Sequence, residues 1–103
     1  MNENTRNQVA DSLDRLAEQS EWNPEIWQQC YDLVRANREN DLLNFAQDDI
    51  IHYSGEFHSH NILGFRVKPD RDQLTQYQQE FRDIATALRL RLSLEEARQK
   101  FEL

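Results

Sequence analysis

Glycine and proline are scarce in this chain, which has two of each among 103 residues. An all-β chain needs many such residues for its reverse turns, so their scarcity argues against that fold class. Gln, Glu, Arg, Leu and Ala, all good helix formers, are abundant instead. The composition therefore predicts an all-α protein, and a chain of 12.4 kDa is expected to form one helical domain over residues 1–103.

Cysteine and long apolar runs are also lacking. The single cysteine, Cys30, excludes an internal disulfide framework, and its neighbours WQQCYDLV place it on an apolar helical face, where we expect a buried thiol. No apolar run approaches the roughly 20 residues that span a bilayer. The N-terminus, MNENTRNQVADSL, lacks the layout of a signal peptide. We expect a cytoplasmic protein that does not enter membranes.

Positive charge is in deficit, because the formal net charge is −7. Residues 1–51 carry four Arg against eleven Asp plus Glu, whereas residues 52–103 carry eight charges of each sign. Binding to nucleic acid or anionic lipid needs a concentrated positive surface, so these partners are disfavoured. A basic protein partner fits better, although acidic helices that only keep the protein soluble remain an alternative.

Apolar residues at helical spacing predict a helix over about residues 4–19. A second helix is expected to begin at Asn23, a good N-cap that precedes Pro24. The polar run ANREND interrupts this helix, and Asn40 can cap a third. We expect Ser54 and Gly55 to end the third helix, because glycine commonly terminates helices in the left-handed conformation.

Two capping-box patterns predict the last two helices. Asp70 with Gln73 opens the fourth helix, and Ser93 with Glu96 opens a short closing helix. The fourth helix has the most regular apolar stripe, which would be either the central core or a dimerisation seam; its residues are Leu74, Tyr77, Phe81, Ile84, Ala85 and Leu88.

No helical period survives between the third and fourth helices. The predicted fold is therefore an irregular four- or five-helix bundle with a long loop or short extended flap at about residues 54–69. Large apolar residues in this flap, including Phe57 and Phe65, would pack inward or present a binding surface. Arg66 and Lys68 give it a small positive rim.

For function, we expect a small, acidic, non-enzymatic regulator, adaptor or immunity-type binder that acts through protein contacts and needs no cofactor. Neither a nucleophile elbow nor a glycine-rich phosphate loop can be built from this sequence. A homodimer stays open as a further possibility. The candidate residues for partner binding are Asp41, Asp48, Asp49, Phe57, Phe65, Arg66 and Lys68.

The alternative hypothesis is a metal-binding protein or metal-dependent enzyme. Four potential ligands, His52, Glu56, His58 and His60, lie within nine residues. Imidazole and carboxylate groups suit zinc and other divalent transition metals. Because His58 and His60 are two residues apart, they would point the same way if the segment were a strand.

Overall fold

A computed structural model of the protein describes residues 1–58, 61–62, 65–66 and 71–103. Five helices account for most of these residues, which confirms the predicted all-α class. In chain order the elements are α1 (Glu3–Ala17), α2 (Pro24–Ala36), α3 (Asp41–His58), β1 (Asn61–Ile62), β2 (Phe65–Arg66), α4 (Arg71–Arg89) and α5 (Leu94–Lys100).

The helices begin where side chains can satisfy their first backbone N–H groups. Asn23 accepts hydrogen bonds from the backbone of the first turn of α2, and Oδ1 of Asn40 accepts one from the first turn of α3. Ser93 and Glu96 form the predicted capping box of α5. The predicted N-terminal caps of α2, α3 and α5 are therefore confirmed, and each cap bonds to groups only two or three residues away. The predicted cap Asp70 lies outside the described residues.

The predicted end of the third helix at Ser54 and Gly55 is wrong, because α3 continues to His58. The Phe57 ring contacts the rings of Trp22 and Tyr53, with centroids 5.2 Å and 5.3 Å apart. Extending the helix by one turn places Phe57 there. Burial of a large aromatic side chain outweighs the cost of about 1 kcal/mol for glycine inside a helix.

The segment predicted as a flap therefore begins after α3. Within it, β1 pairs with β2 in antiparallel register, with Asn61 opposite Arg66 and Ile62 opposite Phe65. The remaining residues of this segment, 59–60, 63–64 and 67–70, lie outside the described residues.

One hydrophobic core joins all five helices. The apolar stripe of α4 lies inside it, with Phe81, Ile84, Ala85 and Leu88 all at 0% exposure. These four residues are therefore core within a single chain and not an exposed dimerisation seam, whereas Leu74 and Tyr77 of the same stripe are half-buried. The other buried core residues are Val9, Ala10, Leu13, Leu16, Ala17, Cys30, Val34, Leu42, Leu43, Ala46, Ile50, Tyr53, Ala87 and Ala97.

Helices α1 and α4 run antiparallel and are joined by arginines. The Arg82 side chain donates to the backbone carbonyl of Ala17 at 3.2 Å. Arg89 donates to carboxylate oxygens of Asp11 and Asp14, both at 2.7 Å. Two positive side chains of α4 are thus held on the α1 side of the helix.

The single cysteine, Cys30, belongs to the hydrophobic core. Cys30 is buried at 0% exposure, as predicted, and burial raises the pKa of its thiol to about 12. Within the described ranges, no helix combines the length and apolar character that crossing a membrane requires.

Candidate functional site

Helices α3 and α4 and the residues after α5 line an open cavity of about 570 Å³, called here the acidic cavity. Four carboxyl groups face it together with two aromatic rings and three glutamines. Of the residues that line it in the described part of the chain, none is Lys or Arg. The lining residues are Asp49, Gln73, Gln76, Tyr77, Gln79, Glu80, Asp83, Phe101 and Glu102.

A second concavity of about 500 Å³, called here the side pocket, adjoins the acidic cavity through Asp49, which lines both. The structure thus brings together the three aspartates predicted from the sequence as partner-binding residues. Together the two concavities form an acidic surface with six carboxyl groups. The lining residues of the side pocket are Asp41, Asn44, Phe45, Asp48, Asp49, His52 and Leu94.

The carboxyl groups of Asp49, on α3, and Glu80, on α4, lie close enough to share a hydrogen bond. Such a bond requires a proton, because two ionised carboxylates have no donor between them. Partial burial raises the pKa of Glu80 to about 8, and the hydrogen bond to Asp49 and the charges of Asp49 and Asp83 act in the same direction. At neutral pH the Glu80 carboxyl therefore carries the proton.

An oxygen atom of the pair is left without any other donor. Oδ2 of Asp49 is buried, and no N–H or O–H group among the described residues donates to it. A proton on Glu80 is the donor that lies beside Asp49. The proton on Glu80 therefore satisfies the buried oxygen of Asp49, which would otherwise need a cation beside it.

Neither Tyr77 nor Asp83, which line the cavity with the pair, supplies a positive charge. The pKa of Tyr77 is raised, first by burial and further by the charges of Asp49, Glu56 and Glu80, so the phenol stays neutral. Asp83 accepts a hydrogen bond from Gln79 at 3.0 Å, which is an interaction with an uncharged group. The cavity therefore contains no internal counter-ion among the residues that line it.

Asp41 has a structural role as well as a place in the side pocket. Its Oδ1 accepts a hydrogen bond from the backbone N–H of Leu42 at 2.8 Å, and its Oδ2 accepts one from Leu94 at 2.9 Å. Asp41 thereby joins the start of α3 to the start of α5. Asp48 is also exposed on α3.

A positive group on α5 lies beside the side pocket. The guanidinium of Arg98 lies over the ring of Phe45, with its Cζ atom 5.3 Å from the ring centroid. This cation–π contact covers one wall of the side pocket, and Arg98 does not line either concavity. Arg98 thus lies at the edge of the acidic surface, and no described residue that lines this surface is Lys or Arg.

The remaining predicted partner-binding residues are placed differently. Phe57 is half-buried and packs inward against the core, which was one of its two expected arrangements. Phe65 and Arg66 form β2, and Lys68 lies outside the described residues. Of the two predicted phenylalanines, Phe57 lies outside both concavities.

The metal-site hypothesis falls partly outside the described residues. His52 is exposed and Glu56 is half-buried, and because they are four residues apart on α3 they share a face. His58 ends α3, and His60 is not among the described residues. Of the side chains that the structure describes, no three His, Cys, Asp or Glu are grouped so that they could hold a metal ion.

Sequence reasoning missed Glu80, Asp83 and Glu102. A signal did exist for Glu80, which is three residues after Tyr77 and four before Ile84 and so borders the buried stripe of α4. Helical periodicity can place one carboxyl group at the edge of a stripe. It cannot show that Asp49 lies opposite on a different helix.

A comparison with protein-family models, curated proteins and solved structures finds no match to this chain.

Proposed function

We propose that this protein is a non-enzymatic interaction module that binds a basic segment of another protein through the acidic surface. The single observation that supports this most strongly is the composition of that surface. Six carboxyl groups line two adjoining concavities, without a lysine or arginine among the described lining residues. Oppositely charged surfaces attract, which speeds association and selects the partner by charge.

The arrangement of the arginines supports the same proposal. Arg82 and Arg89 of α4 are bonded to α1, so they do not neutralise the acidic surface. Acidic residues that served only solubility would have no reason to line concavities free of cations. The same negative potential would repel nucleic acid and anionic lipid headgroups.

The shape and apolar content of the surface favour a peptide segment over a small ion. Two adjoining concavities of about 570 Å³ and about 500 Å³ can take several side chains in succession. Half-buried Phe45 and Leu94 line one concavity and Tyr77 and Phe101 line the other. A segment with arginine or lysine beside apolar residues would complement both properties.

The role of regulator, adaptor or immunity-type binder belongs to this proposal, as does a cytoplasmic location. A chain with one free cysteine has no internal disulfide that would need an oxidising compartment.

Charge reversal tests the proposed surface. Asp48 and Glu102 are exposed and line the side pocket and the acidic cavity respectively. We expect the double variant Asp48→Lys/Glu102→Lys to weaken binding of a hexa-arginine peptide by about tenfold or more, since each reversed charge removes an attraction and adds a repulsion. Isothermal titration calorimetry at two salt concentrations measures the effect.

The matched control is Glu18→Lys/Glu21→Lys. It changes the net charge by the same amount, and both residues are exposed and lie outside the acidic surface. We expect a loss of about threefold or less. Equal losses in the two double variants would mean that overall charge, and not this surface, governs binding, and the proposal would be abandoned.

A further inference from the structure

Helix α5 and the residues after it contribute walls to both concavities. Leu94, at the start of the helix, lines the side pocket, and Phe101 and Glu102, directly after its end, line the acidic cavity. Between these positions, the guanidinium group of Arg98 lies over the ring of Phe45, with Cζ 5.3 Å from the ring centroid. One short segment of the chain therefore borders both concavities and places a cation on a wall of one of them.

The ring of Phe45 indicates which chemical group this wall binds. It is half-buried and lines the side pocket, and the group that packs over it is a guanidinium. The face of an aromatic ring attracts cations, and a planar guanidinium can stack on the ring while its N–H groups still donate hydrogen bonds. An arginine side chain suits this wall better than the compact, strongly hydrated ammonium group of lysine.

Arg98 can leave the ring while α5 stays in place. The residue is exposed, and among the described residues no carboxylate forms an ion pair with it. Other groups hold the helix, because the Leu94 N–H donates to Oδ2 of Asp41 at 2.9 Å and Ala97 is buried at 0% exposure. Cation–π contacts at exposed sites are weak, so a second cation can displace the Arg98 side chain alone.

A guanidinium from a partner would gain more at this ring than Arg98 does. Arg98 does not line the side pocket, whereas Asp48 lines it and is exposed. A guanidinium that entered the pocket over Phe45 would stack on the ring and also reach this carboxylate. Charge-assisted hydrogen bonds are stronger than neutral ones, and this difference allows a partner to compete with Arg98.

We infer that the basic partner places an arginine side chain over Phe45, and that Arg98 is an internal competitor that must leave the ring first. In the free protein Arg98 occupies the aromatic wall of the side pocket, and the contact lowers the affinity for the partner. This inference rests on the proposed function and adds the recognised side chain and an autoinhibitory contact.

Removal of Arg98 tests the competition. We expect Arg98→Gln to bind hexa-arginine about three- to fivefold more tightly than wild type in isothermal titration calorimetry, because no cation–π contact has to be broken. The matched control is Lys100→Gln, which removes the same charge from the same turn of α5. Lys100 is exposed and lines neither concavity, so we expect a gain of about twofold or less.

The ring itself is tested with Phe45→Leu, since leucine keeps an apolar side chain and removes the aromatic face. In this background the gain from Arg98→Gln should fall to that of Lys100→Gln. Phe45→Leu alone should change the affinity by less than about twofold, because Arg98 and the probe both lose the ring. Circular dichroism establishes that each variant is folded.

Arg98→Lys separates stacking from charge without a change at the half-buried ring. It keeps the positive charge and weakens the contact with Phe45. We therefore expect hexa-arginine to bind this variant about twofold more tightly than wild type, whereas an effect of charge alone predicts no change.

The outcomes separate the two proposals. If wild type binds hexa-arginine and Arg98→Gln gains no more than Lys100→Gln, charge alone governs the effect, so this inference is wrong and the proposed function stands. The same conclusion follows if the gain from Arg98→Gln persists in the Phe45→Leu background, or if Arg98→Lys binds as wild type does. If hexa-arginine binds neither wild type nor Arg98→Gln, the proposed function fails and the inference fails with it.

Discussion

The substitution Glu80→Gln should make the protein more stable at alkaline pH. In wild type, the proton shared with Asp49 is lost as pH rises through about 8, and two like charges then face each other across α3 and α4. The full difference between this pKa and the ordinary 4.5 corresponds to about 5 kcal/mol. Because Glu80 is only half-buried, solvent screening reduces the expected effect to about 1–2 kcal/mol.

The sign follows from proton binding in the folded and unfolded states. Between pH 4.5 and about 8 the folded protein holds a proton on Glu80 that the unfolded chain has released. The unfolded state therefore binds fewer protons, and the free energy of unfolding falls as pH rises through this interval. Glutamine does not titrate, so this contribution to the fall in the free energy of unfolding is absent from the variant. The free energies of unfolding of wild type and Glu80→Gln should differ little near pH 5 and most at pH 8.5–9.

Urea denaturation followed by circular dichroism at pH 5, 7 and 9 measures the difference. Subtracting the free energy of unfolding of wild type from that of the variant cancels the titrations that both proteins share. The matched control is Glu21→Gln, an exposed residue outside the helices, which should follow wild type at every pH. Parallel stability curves for Glu80→Gln and wild type from pH 5 to pH 9 would refute the shared proton.

Three further predictions concern the scaffold. Asp41→Ala removes the acceptor for the Leu94 N–H and should cost about 1–2 kcal/mol in urea denaturation, with faster hydrogen exchange concentrated in α5. Cys30 should react with a thiol-specific disulfide reagent only after unfolding in urea, because its pKa is about 12 and it is buried; rapid reaction of the native protein would contradict its placement. Arg91→Gly should stabilise the protein by about 0.5–1 kcal/mol, since Arg91 has φ 58; a lower melting temperature would show that its side chain matters more than its backbone.

Most of the helical architecture could be predicted because it depends on interactions within a few residues. The caps at Asn23, Asn40 and Ser93 bond to backbone groups two or three positions away, so the sequence contains both partners. Four of the six residues in the predicted stripe of α4 are fully buried, because the spacing of the stripe matches the helical period. Arg91 was not identified as the left-handed residue after α4, since arginine gives no such signal.

The end of α3 could not be predicted in the same way. Gly55 is a strong local signal for termination, and the signal was misleading because Phe57 packs against Trp22 and Tyr53. Trp22 is more than thirty positions away in the sequence. A contact at such separation can override local preference, and no pattern within one helix reports it.

The sequence by itself determined the fold class, most helix boundaries, the buried thiol and the excess of negative charge. Each of these depends on composition or on neighbours within about one helical turn. Only the tertiary structure decided that Asp49 lies beside Glu80, that Asp48 and Glu102 line the adjoining concavities, and that Arg82 and Arg89 of α4 bond to α1. Electrostatic energy depends on the distance between charges in space, and for residues on different helices packing sets that distance.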